Sequence, residues 1–110
     1  MIKYEIGYPL LAGTGKVGTT EDYEKGRCDM EFWDSSKTYR NALKKAVMFL
    51  REHPDSFAMI QDYDTVYDCA SDVCDIIRVK DGVVMKDDRK LKEEWQDLFN
   101  KPSRKGGKKQ

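Results

Sequence analysis

The chain has 110 residues, 39% of them apolar and 36% charged, enough for one modest core under a surface dense with charge. Twenty Lys and Arg balance twenty Asp and Glu, which excludes steering of the whole molecule to nucleic acid or an acidic membrane by net charge. No apolar run approaches the roughly 18 residues of a membrane span, and no signal-peptide core opens the chain. A soluble, cytoplasmic protein is the expectation, and the mean hydropathy of −0.78 agrees.

Residues 1–11 alternate Ile2, Tyr4, Ile6 and Tyr8 with Lys3, Glu5 and Gly7, the period of a strand with one face inward. Pro9 is expected to close its regular part, because proline cannot donate to a ladder. Residues 12–26 carry four glycines and several threonines and read as a long, mobile connection. Residues 27–33 alternate Cys28, Met30 and Phe32 with Arg27, Asp29 and Glu31, a second strand expected antiparallel to the first.

Asp34, Ser35 and Ser36 are residue types that cap a helix start. Tyr39, Leu43, Ala46, Val47 and Leu50 then recur at helical spacing, with Lys37, Arg40, Lys44, Lys45 and Arg51 largely opposite, until Pro54 ends the run. Residues 57–67 read as a third strand and 73–79 as a fourth. Asp81-Gly82 is a tight-turn dipeptide leading into Val83, Val84 and Met85, so a hairpin is predicted there. Asp87 and Asp88 are expected to cap a short helix bearing Leu91, Trp95, Leu98 and Phe99, stopped by Pro102.

The predicted fold is therefore α+β, one domain over residues 1–101 in the order β-β-α-β-β-β-α. A mostly antiparallel sheet carries one long helix and a short C-terminal one. Residues 102–110 are expected to form a disordered basic tail.

Several chemistries lack their residues. The glycine loop holds Gly13, Gly15, Lys16 and Gly18, but Val17 follows the lysine where a phosphate loop needs Ser or Thr. Asp62-x-Asp64 opens like a calcium loop, yet the later ligands, the turn glycine and the closing Glu are missing. Cys28, Cys69, Cys74 and the single His53 lack the spacing of a zinc knuckle and read as reduced thiols beside a helix-end histidine. No nucleophile-base arrangement can be argued from spacing. No cofactor, no metal and no enzymatic activity are expected.

The acidic stretch carries more information. Between Arg51 and Arg78 there is no Lys or Arg, while Glu52, Asp55, Asp62, Asp64, Asp68, Asp72 and Asp75 occur. Such a face is either a solvated edge that resists aggregation or an imitation of a phosphate backbone that fills a basic groove. Tyr63 and Tyr67, interleaved with the acids, suit a protein interface. The candidate partner-binding residues are Asp62, Tyr63, Asp64, Tyr67, Asp68 and Asp72. Reversing Asp64 and Asp68 to Lys is expected to weaken binding and spare the fold.

The tail adds Arg104, Lys105, Lys108 and Lys109, which leaves residues 1–103 with sixteen basic against twenty acidic side chains. It is either a solubilising end or a salt-sensitive contact to nucleic acid. In size and pattern (two strands, a basic-faced helix, then a hairpin) the chain resembles small accessory proteins of phages and integrative elements, a likeness of architecture alone. Those proteins include inhibitors of bacterial defence nucleases, among them anti-CRISPR proteins. The resemblance implies a non-enzymatic DNA mimic that blocks a larger protein or nucleoprotein complex with a basic groove, as monomer or homodimer and without a membrane. The alternative is direct nucleic-acid binding through the basic helix face and the tail.

Overall fold

The computed structural model describes residues 2–101, and for residues 71–73 the backbone only. The elements are β1 (Ile2–Leu11), α1 (Thr20–Glu24), β2 (Cys28–Ser36), α2 (Tyr39–Glu52), β3 (Phe57–Asp64), β4 (Cys69–Lys80), β5 (Val83–Lys86), β6 (Arg89–Lys90) and α3 (Glu93–Asn100). All six strands join one sheet in the order β2-β1-β3-β4-β5-β6, and every neighbouring pair is antiparallel. This is an α+β single domain. It has a short extra helix and a two-residue extra strand beyond the order read from sequence.

The apolar stripe of α2 explains the layering. Ala42, Leu43, Ala46, Val47 and Leu50 are buried against Ile6, Tyr8, Ala58, Ile60, Ile77 and Val84 of the sheet. Fully burying each of the larger side chains stabilises the fold by about 1.5–3 kcal/mol. Trp95 of α3 joins the same core, with Leu98 and Phe99 packed against it. Both longer helices thus lie on one face of the sheet.

The β1–β2 ladder shifts register between Ile6 and Tyr8, so Phe32 and Trp33 both stand opposite Gly7. Ordinary alternation sends them to different faces, and the bulge lets Trp33 and Asp34 share the helix side. Trp33 meets the ring of Tyr8 at 5.3 Å on the helix side, while Phe32 lies over Gly7, where a Cβ would stand 2.6 Å from the ring.

Several expectations are corrected. β2 continues through Asp34, Ser35 and Ser36 because they pair with Ile6, Glu5 and Tyr4. The helix cap is instead Thr38, whose hydroxyl accepts from the Asn41 amide at 3.1 Å. Asp87 and Asp88 do not cap α3. They take positive φ of 48° and 71° at the β5–β6 turn, a conformation that short polar side chains tolerate, and α3 begins after Lys92 without a side-chain cap.

Residues 12–26 are organised rather than a featureless connection. Thr19 and Asp22 form a reciprocal capping box at the start of α1. The Ala12 amide donates to Arg27 O at 3.0 Å and that of Thr20 to Asp55 O at 2.8 Å. Tyr23 stacks edge-on against Phe57 at 5.0 Å. Pro9 stays inside β1, buried, because its carbonyl receives the Gly18 amide. Its missing N–H therefore faces that loop and not the β2 ladder.

Candidate functional site

The β3–β4 hairpin carries all six residues singled out from sequence, and the side chains of five are described. The strands pair as far as Asp64 and Cys69, and residues 65–68 make the turn. Asp64 builds that turn: its Oδ1 accepts from the amides of Val66 at 2.9 Å and Tyr67 at 3.4 Å. Asp68 sits at φ 53° and accepts the hydroxyl of Tyr63. That bond, with lesser desolvation, pushes the Tyr63 phenol up to about 12.

This geometry leaves two apolar side chains outermost. Val66 is 70% and Tyr67 77% exposed, the highest values for large apolar residues among the described residues. Strand alternation splits the rest. Asp62 and Asp64 lie on the helix-bearing face beside Tyr4 and Ile2, while Tyr63 pairs with Lys3 on the other. The Lys3 ammonium stands 5.1 Å from the Tyr63 ring centre. Asp72 lies within β4, and its side chain falls outside the described residues.

Asp64 and Asp68 therefore hold the turn as well as carrying charge. A double reversal to Lys would disturb both the backbone and the field, contrary to the expectation that the fold would be spared. Asp62, which is exposed and outside these bonds, is the cleaner charge to change.

A neighbouring acidic cluster was not legible in the sequence. Tyr39, at the start of α2, donates to Asp75 of β4 at 2.6 Å and packs edge-on against Tyr4 at 5.5 Å. Lys86 lies 4.7 Å from the Tyr39 ring centre and 3.6 Å from Asp75. Burial raises the Tyr39 phenol far above its ordinary value, and Asp75, Asp87 and Asp62 add to the shift. The acidic side of the hairpin thus continues toward the helix start.

Among the described residues, no three His, Cys, Asp or Glu side chains gather so as to hold a metal ion. Desolvation raises the thiols of Cys28 and Cys74, the opposite of what activates a nucleophile. His53 is the C-terminal residue after α2, its ring 4.9 Å from that of Phe49. No helix among the described residues is long and apolar enough to cross a membrane.

The basic face of α2 is largely committed to neighbours. Arg40 makes a two-pronged bond to Glu94, each contact 3.1 Å, and lies over the Trp95 ring. Lys45 bonds Asp34 at 3.0 Å and the Ser35 carbonyl at 2.7 Å, and Arg51 bonds the Lys101 carbonyl at 2.6 Å. Lys37 and Lys44 alone of the five make neither a side-chain hydrogen bond nor an ion pair among the described residues. The tail at 102–110 lies outside them.

Comparison with protein families, with curated proteins and with solved structures gave no match.

Proposed function

We propose that this protein is a non-enzymatic binding module that works in the cytoplasm by seating its β3–β4 hairpin end in a basic groove of a larger protein or nucleoprotein complex. The observation that carries the reading is the Val66–Tyr67 pair, outermost on the turn and flanked by the carboxylates of Asp64 and Asp68, with Asp62 further back on β3. Tyrosine is enriched among the side chains that anchor interfaces. The surrounding negative field speeds encounter with a cationic surface and rejects anionic ones. Carboxylates that occupy a groove built for phosphates block a nucleic-acid-handling machine by charge and bulk. An inhibitor carried by a phage or mobile element is the form in which that mechanism has an evident use.

The test is capture of partners by the tagged chain from a lysate of its own host, with and without nuclease, against the variant V66S/Y67S. Both side chains are exposed, so the variant should fold normally. A protein retained by the parent in the presence of nuclease and lost by the variant supports the reading. Capture equal in both chains, or abolished by nuclease, overturns it. The nuclease-sensitive outcome would move the function to Lys37, Lys44 and the tail.

A further inference from the structure

A second surface stands at the edge of the sheet, away from the hairpin end. β2 is an outer strand of nine residues, whereas the opposite edge is the two-residue β6, followed directly by α3. Among the described residues the outer row of β2 amides and carbonyls meets no strand, and only at Ser35 do side chains, those of Asp34 and Lys45, take the amide and carbonyl. Such a row is a template for another strand. Natural proteins guard long edges with charge, and Asp29 and Glu31 are charges of that kind. They carry one sign only, are exposed, and make no hydrogen bond or ion pair among the described residues.

The side chains beside that edge are arranged in two rows. On the helix side, Asp29 and Glu31 stand opposite Leu10 and Tyr8. Beyond the bulge comes Trp33, 58% exposed, at one end of a ring series in which Tyr8 lies 4.2 Å from Phe49. A groove of about 760 Å³ runs between β2 and α2, with Asp34, Lys44, Lys45, Met48 and Phe49 in its wall, and Met48 is 40% exposed. A cationic segment is therefore matched by Asp29 and Glu31 at the start of β2 and not by this groove. On the other side of the sheet, Met30 and Phe32 are half-buried.

We infer that the β2 edge takes an extended cationic segment of a partner protein as a seventh strand. Lysines or arginines of that segment lie beside Asp29 and Glu31, and its alternate, apolar side chains lie beside Met30 and Phe32. Backbone pairing supplies affinity, and the alternating pockets supply selectivity. The same carboxylates argue against a second copy as occupant. Antiparallel self-pairing centred on Phe32 would set Arg27 against Lys37 and leave Asp29 and Glu31 without a cation. This inference is independent of the hairpin end, which lies around the β3–β4 turn and shares none of these residues.

The test uses two short labelled peptides, one of alternating Lys and Val and one of alternating Glu and Val, titrated against the full chain by anisotropy. Trp33 fluorescence and amide hydrogen exchange are read in parallel. The parent chain should bind the lysine peptide at least about tenfold more tightly than the glutamate one, with slowed exchange across residues 28–36 and a changed Trp33 emission. D29N/E31Q should erase most of that preference, and D29K/E31K should reverse it. Equal binding of the two peptides, no binding of either, or a preference untouched by D29N/E31Q would overturn the inference. Protection confined to the hairpin at 62–68 would also overturn it while leaving the proposed function intact.

Discussion

Gln96 tests how α3 is fastened to the sheet. It is buried on α3, only 5% exposed, yet it is polar. Its Oε1 accepts the Val84 amide at 2.9 Å, and its Nε2 donates to the carbonyls of Val84 at 2.8 Å and Leu91 at 3.0 Å. Val84 is fully buried in β5, and these backbone groups point away from β4, where β6 pairs only with Met85 and Lys86. The side-chain amide thus stands in for a missing strand.

Gln96→Leu keeps the bulk and removes the amide. The Val84 carbonyl retains its bond from the Leu91 amide at 3.1 Å, and the Leu91 carbonyl that loses its donor is only part-buried. The main loss is therefore one buried N–H, which costs about 1–3 kcal/mol when left unpaired. Gln96→Ala also removes one buried methylene, worth about 0.8 kcal/mol, for a total of roughly 2–4 kcal/mol. A loss of 1 kcal/mol lowers Tm by roughly 4–8 °C in a domain near this size. Urea and thermal unfolding of both variants measure these losses. Gln96→Leu within about 0.5 kcal/mol of the parent, the range of an ordinary surface change, would refute the role given to the amide.

Other consequences follow from particular contacts. Gly7→Ala would drive a Cβ to within 2.6 Å of the Phe32 ring and should cost about 1–3 kcal/mol. A Phe32→Leu background should relieve most of that, and a double-mutant cycle with no coupling would contradict the packing. The Thr19 amide bond holds the Asp22 carboxyl below its usual value, with Thr19 Oγ1 and Arg27 contributing. The α1 cap therefore adds stability above the ordinary carboxylate range and loses it as pH falls through the lowered value. Amide resonances of residues 19–25 should report this before global acid unfolding. Tyr63 titrates in the opposite sense. Its bond to Asp68 supports the hairpin end below the ordinary tyrosine value of 10.0 and is lost as pH rises toward about 12. Phenolate absorbance compared between the parent and Asp68→Asn should show the variant ionising at lower pH.

What the sequence made legible was local. Helix α2 stands out because Leu43, Ala46, Val47 and Leu50 repeat on one face, and the β4–β5 hairpin because Asp81-Gly82 suits positive φ at both turn positions. Asp34-Ser35-Ser36 looked like a cap because side-chain oxygens serve caps and strand ends alike, and only pairing with β1 decides between them. Asp87-Asp88 carried the same ambiguity. The Thr19–Asp22 box was present in the letters but stood among glycines that argued for an open loop. The central place of β1, between β2 and β3, depends on pairings distant in sequence. So do the meeting of Tyr39 with Asp75 and the burial of Gln96. At the hairpin end the acidic composition was visible in advance. The division of labour was not, because Asp64 turns the chain and Asp68 holds Tyr63 only once the register of β3 against β4 is set.

The most direct measurement places a photo-crosslinking side chain at position 67 and, as a comparison, at position 44 on α2, in cells that carry the protein. The account predicts a covalent adduct to one protein from position 67, resistant to nuclease and absent from position 44. An adduct from position 44 to nucleic acid, with none from position 67, would contradict it.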